Sequence, residues 1–242
     1  MRILVAIPVF NEEKYAAGVL ARVLTYSKDV LVVDDGSSDG TAEIVRRFPV
    51  AMIRHERNRG YGRSLIDAFA YAAREGYDWV ITMDCDEQHE PAAIPQFVRE
   101  IARGGADIIS GSRYLTPTPA DDLPPADRRK INQTITAELN EQLGFSLTDS
   151  FCGFKAHRVS ALAGLELTEE GYAFPMQFWA QAARAGLGVR ELPVKRIYND
   201  ASRTFGGSLD DAGYRLAHYR DVLRRELERA EVGRRPAFYC CM

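Results

Sequence analysis

Along the first half of the chain, short unbroken apolar runs alternate with longer stretches in which apolar positions recur every three or four residues. Residues 3–8, 30–34, 50–54, 79–83 and 107–110 are of the first kind and predict buried strands. Between them, residues 12–26, the stretch carrying Ile44 and Val45, the run that sets Leu65, Ile66, Phe69 and Ala73 on one face, and residues 92–103 keep the helical period. Ser38 or Asp39 is placed to cap the second of these helices, and Gly60 and Gly62 punctuate the entry to the third. Strands apolar at every position and each followed by a helix imply burial on both faces. The pattern predicts an α/β fold, a Rossmann-like, mostly parallel twisted sheet with helices on both sides.

The rhythm breaks at residues 115–127, a proline-rich connector of the kind that forms a lid or binding loop in a compact domain. Beyond it the pattern predicts helices over 128–143 and 174–185, a strand over 188–194 and a final helix over 209–232. On that last helix Leu216, Tyr219, Leu223 and Leu227 recur at helical spacing, with Arg215, Arg220, Arg224, Arg225 and Arg229 between them. Asp221, Glu226, Glu228 and Glu231 dilute this positive charge, so the helix reads as packed on the domain or on a second copy of the chain rather than laid on a membrane. The expected organisation is a main domain over 1–207 and a C-terminal helical extension over 208–242.

Bulk properties narrow the class. A chain of 242 residues buries a full core as one large domain, with or without an appended segment. A net charge of −3 excludes the basic field that attracts nucleic acid. Cys85, Cys152, Cys240 and Cys241 show neither zinc-ligand nor disulfide-framework spacing, which suits a reducing cytoplasm. No run approaches the roughly 20 apolar residues that span a bilayer. A prenylation box would need cysteine where Tyr239 stands. The expected location is cytoplasmic, at most peripheral at the membrane's cytoplasmic face.

Chemistry gathers where the apolar runs end. Residues i and i+2 of an extended segment point to the same side, so Asp84 and Asp86 can converge on one hard divalent cation such as Mg²⁺ or Mn²⁺. Alone, Asp-x-Asp is a weak signal. A second apolar run, however, also ends in acids and a glycine turn, Asp34-Asp35-Gly36. In parallel sheets ligands bind outside the carboxyl ends of strands, where all four acids fall.

Taken with their neighbours these segments resemble a known family. The carrying motifs are Ile7-Pro8-Val9-Phe10-Asn11-Glu12, the segment 33–41, Asn58-Arg59-Gly60-Tyr61-Gly62, the segment 83–91, Gly111-Ser112-Arg113-Tyr114, Asp149 with Cys152-Gly153-Phe154-Lys155, and Arg203 with Gly206-Gly207. They resemble family 2 glycosyltransferases of the GT-A fold, and within them the dolichyl- or polyprenyl-phosphate mannose and glucose synthases. The resemblance implies a metal-dependent, inverting transfer of a hexose from a nucleotide-diphosphate sugar of the GDP-mannose or UDP-glucose type to a polyprenyl phosphate. It implies nucleotide contacts at Pro8, Phe10, Asn11, Glu12, Asp34, Asp35, Gly60 and Asp84, with Phe10 against the base. Asp84, Asp86 and Gln88 would hold Mg²⁺ or Mn²⁺. Asp86, Arg113 and Asp149 would be catalytic, and Arg113, Arg128, Arg129 and Arg203 would meet the acceptor phosphate.

Several of these residues also have plainer readings. Asp39 reads as a helix cap only, Cys85 as core and His89 as a surface histidine. Lys155 reads equally as surface or ligand. The basic run 128–130 opens a helix, where it opposes the dipole. A phosphate acceptor is already anionic, so Asp149 is expected to orient rather than deprotonate. Phe205-Gly206-Gly207 stands where the resembled enzymes carry Gly-Glu-Ser-Lys, which keeps a soluble acceptor open. A nucleotide-sugar-binding protein without turnover is the reading from another class. A nucleotidyltransferase would need a glycine- and basic-rich first loop, which Pro8-Val9-Phe10-Asn11-Glu12 is not.

Overall fold

The computed structural model describes residues 1–198 and 204–234. The chain begins β1 (Ile3–Val9), α1 (Ala16–Val23), β2 (Val30–Asp34), α2 (Thr41–Val45), β3 (Ala51–Arg54), α3 (Tyr61–Arg74) and β4 (Trp79–Thr82). It continues through α4 (Ile94–Arg103), β5 (Ile108–Ser112) and α5 (Ala126–Leu143). It ends with β6 (Lys155–Arg158), α6 (Val159–Leu162), α7 (Phe174–Arg184), β7 (Val189–Pro193) and α8 (Ala212–Arg234). The strands form one seven-stranded sheet in the order β3-β2-β1-β4-β6-β5-β7. All neighbours are parallel except β6, which runs antiparallel to both β4 and β5.

Alternation along β1 explains the two layers of core. Leu4 and Ala6 face one side, where they meet Leu65 and Phe69 of α3, Leu139 of α5 and Trp179 of α7. Val5, Ile7 and Val9 face the other, with Val19 and Leu20 of α1 and Phe97 of α4. Each large side chain buried this way contributes about 1.5–3 kcal/mol. Tyr219, Val222 and Leu223 of α8 join the first layer, so the final helix packs on its own chain, against α5 and α7.

Several elements depart from the expectation, the short α6 among them having no predicted counterpart. The first helix begins at Ala16 rather than residue 12, because Asn11 adopts a left-handed φ of 55° and the Glu12 N–H is drawn to Thr41 Oγ1 at 2.8 Å. Helix α5 begins at Ala126, which brings Asp127 into the first turn ahead of the basic run and eases its conflict with the dipole. Strand β6 has no counterpart in the predicted elements. At four residues, Lys-Ala-His-Arg, it is short and polar, yet its Lys155, Ala156 and His157 are buried between β4 and β5.

Candidate functional site

A cavity of about 800 Å³ opens at the carboxyl ends of β1, β2, β4 and β5. Strand β4 is followed by Met83, Asp84, Cys85 and Asp86; Met83 and Cys85 are buried in the core, Cys85 also bordering the cavity, and Asp84 and Asp86 line it. The same alternation that hides the apolar pair aims both carboxylates at one space. Asp84 Oδ1 accepts the Tyr61 hydroxyl at 3.1 Å, and Asp86 Oδ1 accepts the Gln88 N–H at 3.0 Å across a turn closed by left-handed Glu87 (φ 60°). Gly153 backs the carboxylate: a Cβ there would lie 2.7 Å from both Asp84 Oδ2 and Tyr61 Oη. The site therefore requires glycine for close approach.

His89 is not the surface residue expected from sequence. It is 5% exposed, and its Nδ1 accepts the Asp84 N–H at 2.9 Å, which places the ring proton on Nε2. Burial pushes its pKa down to about 4, so the ring is a neutral prop beneath the turn. Lys155 is also buried, and donates to the Cys152 carbonyl rather than to the cavity. Burial raises the Cys152 thiol to about 11, so it stays protonated. Among the described residues no three His, Cys, Asp or Glu side chains form a closed metal cage. Asp84, Asp86 and the Gln88 amide instead make an open set of oxygen donors. That chemistry fits a hard cation which keeps several positions for water and phosphate oxygens.

The loop after β1 supplies the next wall. Pro8, Phe10, Asn11 and Glu12 all line the cavity, with Phe10 44% exposed. Asn11 ties this loop to the one after β2, donating its N–H to Ser37 Oγ and accepting the Ser38 N–H, each at 2.9 Å. Asp35 and Gly60 line the cavity beside it. Asp35 accepts the N–H groups of Arg59 and Gly60, both at 2.8 Å. Gly60 has a φ of 108°, and a Cβ there would strike the Glu170 carbonyl oxygen at 2.3 Å. Asp34 does not join the lining. Adjacent strand residues point apart, and its buried carboxylate accepts the Ser37 N–H at 2.9 Å and pairs with Arg54 at 3.1 Å. The N-cap of α2 is Gly40 rather than Ser38 or Asp39, and Asp39, one residue ahead of it, accepts the Thr41 N–H at 3.0 Å.

The remaining part of the lining is cationic and aromatic. Arg113, at the exit of β5, grips Asp149 with two bonds, Nε to Oδ2 at 2.6 Å and Nη2 to Oδ1 at 3.0 Å. Asp149 also accepts Asn132 Nδ2 at 2.7 Å and the N–H groups of Phe151 and Cys152 at 3.2 Å. Burial opposes its charge, but the attraction and hydrogen bonds of Arg113 override burial and hold its pKa at about 2. Asp149 is fully buried and not part of the lining. It fixes Arg113 and Asn132, which are.

Arg128 lines the cavity, 4.9 Å from the ring centre of Phe205. Arg129 does not; it lies 3.6 Å over the ring of Tyr114, which does. Arg203 lies outside the described residues, as do Cys240 and Cys241. Sequence reading missed Arg215 and Tyr219 of α8 as cavity residues. They stand four apart on one helical face, which was legible, but nothing local names the surface that face meets. Arg215 is 2% exposed, donates to Asp127 at 2.7 Å and lies 4.5 Å from the Phe205 ring centre. Tyr172, which also lines the cavity, stacks on Tyr61 at 5.8 Å.

The chain is 29% identical over 245 residues to the undecaprenyl-phosphate mannosyltransferase of Micrococcus luteus, covering 96% of this chain and 100% of that protein. It is 28% identical over 221 residues to the UDP-N-acetylglucosamine–dolichyl-phosphate N-acetylglucosaminyltransferase of Methanococcus voltae, covering 83% and 87%. Among solved structures it is similar to the glucosyl-3-phosphoglycerate synthase of Mycobacterium tuberculosis in complex with Mn²⁺, UDP-glucose and phosphoglyceric acid. The TM-score is 0.71 at 20% identity, over 94% of this chain and 80% of that one. This likeness is one of fold, and it meets the GT-A architecture expected from the motifs. Residues 4–165, from β1 beyond Asp149, match the model of Glycosyl transferase family 2. Both acidic strand ends and the Arg113–Asp149 pair fall inside that match: the chain belongs to this family and is a glycosyltransferase.

Proposed function

We propose that the protein moves a hexose from a nucleotide-diphosphate sugar to a polyprenyl phosphate, with inversion and with a divalent metal. The observation that carries this reading is the contrast between the cavity's walls. Besides Asp84 and Asp86, the lining presents Arg113, Arg128 and Arg215 together with Phe151, Phe205 and Tyr219. Guanidinium groups suit a phosphate and the rings suit an apolar chain, which together describe an acceptor of this kind. Two relatives support it by name, one an undecaprenyl-phosphate and the other a dolichyl-phosphate transferase, although their sugars differ.

In this reading Phe10, Asn11, Glu12, Asp35 and Gly60 hold the nucleotide. Asp84, Asp86 and Gln88 would hold Mg²⁺ or Mn²⁺, whose Lewis acidity neutralises the leaving diphosphate. An oxygen of the acceptor phosphate attacks the anomeric carbon, and the bond to the diphosphate breaks with its electron pair going to that group. The acceptor is ionised at neutral pH, so no side chain need remove a proton. Asp149, held at about 2 and saturated with donors, serves by fixing Arg113. Arg113 then stands preorganised for charge on the phosphates, where preorganised donors stabilise the transition state most. No described helix is long and apolar enough to cross a membrane. Leu115 and Leu123, 40% and 88% exposed in the loop before α5, are the side chains we assign to contact with the membrane surface.

The test is nucleotide release from UDP- and GDP-sugars with Mg²⁺ or Mn²⁺, with and without a short-chain polyprenyl phosphate, using Asp86→Ala as the blank. Turnover of one donor that depends on the lipid and vanishes in the variant is the expected result. Donor hydrolysis indifferent to the lipid would point to a soluble acceptor. Metal-dependent binding without turnover would leave a nucleotide-sugar-binding protein.

A further inference from the structure

His55 follows β3 and is 8% exposed, with no place in the lining of the cavity. Its two ring nitrogens face two different carboxylates. Nδ1 lies 2.6 Å from Asp35 Oδ1, and Nε2 lies 2.9 Å from Asp67 Oδ2. Asp67 belongs to α3 and is itself gripped by Arg63 one turn earlier, at 2.9 Å through Nε and 2.5 Å through Nη2. A neutral imidazole has one N–H and one lone pair, so it would turn the lone pair on one of these oxygens. An imidazolium donates to both. Asp67 remains ionised for its part: burial opposes its charge, but the Arg63 and His55 hydrogen bonds outweigh that and lower its pKa.

We propose that His55 is a positioning residue for donor binding, an imidazolium clamped between Asp67 and Asp35 that fixes the Asp35 carboxylate at the cavity. The clamp rests on the nucleotide-sugar reading given above. Its consequence follows from the division of labour on Asp35. Oδ1 accepts from His55 and from the Arg59 N–H, and is filled. Among the described residues Oδ2 accepts from the Gly60 N–H, which leaves it capacity for one more donor. The oxygen offered to an N–H or O–H of the nucleotide is thus chosen by the oxygen that His55 occupies. The charged chain runs Arg63, Asp67, His55, Asp35, with alternating sign at every step, and Arg63 anchors its far end on α3.

Calorimetric titration of UDP and of GDP into the full-length wild type, His55→Gln and Asp67→Asn, with steady-state kinetics on the same proteins, tests this. Glutamine offers one donor where the imidazolium offers two. His55→Gln is expected to weaken nucleotide binding about tenfold, which is the factor that 1.4 kcal/mol represents. KM for the donor should rise in step while kcat at saturation stays at the wild-type value. Asp67→Asn is expected to weaken binding less, in the same direction. In the ¹⁵N spectrum of the wild type, the His55 ring should show two protonated nitrogens. A folded His55→Gln protein that binds nucleotide like the wild type overturns the proposal, and so does a ring with one protonated nitrogen. Should His55→Gln fail to fold, Asp67→Asn and the wild-type spectrum decide the matter on the same criteria. A wild type that binds neither UDP nor GDP overturns the functional reading and this one with it. Normal wild-type binding with unchanged variants overturns this one alone.

Discussion

The acidic wall of the cavity and its cationic wall are built by different means. Asp84, Asp86, Asp35 and the Pro8–Glu12 loop leave the sheet within a few residues of β4, β2 and β1, so the backbone itself sets their positions. Arg113, Arg128 and Arg215 come from the exit of β5, from α5 and from α8, and side-chain pairing sets theirs. Arg113 reaches Asp149 across 36 residues of sequence, and Arg215 reaches Asp127 across 88. The first wall is rigid because strands are rigid. The second is rigid because buried charges have partners, and it fails when a partner is lost.

Substitutions ought to separate the two. Asp86→Ala is expected to lower turnover the most, roughly 10²–10³-fold, the effect of removing one preorganised stabilising group. Its melting temperature should hold, since strand ends and not this carboxylate carry the loop. A variant within tenfold of wild-type turnover would show that the acidic wall is not where the chemistry is supported. Arg113→Lys keeps the charge but gives up the two-pronged grip on Asp149, which is not a conservative change. Turnover should fall about 10²-fold. Here stability should fall too, by about 3 kcal/mol, because a buried carboxylate loses its partner. Thermal melting measured beside kinetics gives the contrast directly: activity alone for Asp86, activity and stability together for Arg113.

A milder probe acts on the seam between the walls. His157 sits in β6 opposite Val80 of β4 and Ile108 of β5, and burial holds its pKa down to about 3, against 6.5 for the free side chain. The unfolded chain therefore takes up this proton first, so stability is complete above pH 6.5 and is lost as pH falls toward 3. Between pH 7 and 4 urea midpoints should record the loss from His157 together with one of the same sign from His89, held down to about 4, on the order of 3 kcal/mol each. Asp149, depressed from 3.8 to about 2, has the same sign and adds its loss below 3.8. A flat profile would mean that the seam is not proton-sensitive. Smaller again, Arg128→Gln should raise KM for the lipid acceptor about tenfold, as one charge-assisted bond is lost. Leu123→Ser, at an 88% exposed position, should leave stability within about 0.5 kcal/mol while reducing sedimentation with anionic vesicles.

The same division explains what was legible in the sequence. Apolar runs ending in acids are local, so β1 to β5 and the pair Asp84 and Asp86 could be read directly. Gly60 could be read as the turn into α3 and Gly153 as a close approach, which the φ of 108° at Gly60 and the 2.7 Å at which a Cβ on residue 153 would meet Asp84 bear out. The distinction between Asp34 and Asp35 was not legible, because both stand at the same strand end and only the pleat separates them. Nor was β6, where Lys155 and His157 look solvent-facing until the strands on either side enclose them. Arg215 and Tyr219 were visible as a helix face, but a periodicity does not say which cavity the face will close.

Because β6 intervenes, β5 never pairs with β4. A chain emerging from the ribosome at about 5–20 residues per second can therefore complete β3-β2-β1-β4 while β5 still has no neighbour. Until Lys155–Arg158 arrives, β4 keeps an open edge, and open edges recruit foreign strands. The strands that carry the acidic half can thus pair during synthesis, whereas the arginine half can be completed only after the strand that links them has been inserted. A nascent chain stopped short of residue 155 would be half of a sheet with its seam exposed, a client for chaperones rather than a smaller enzyme.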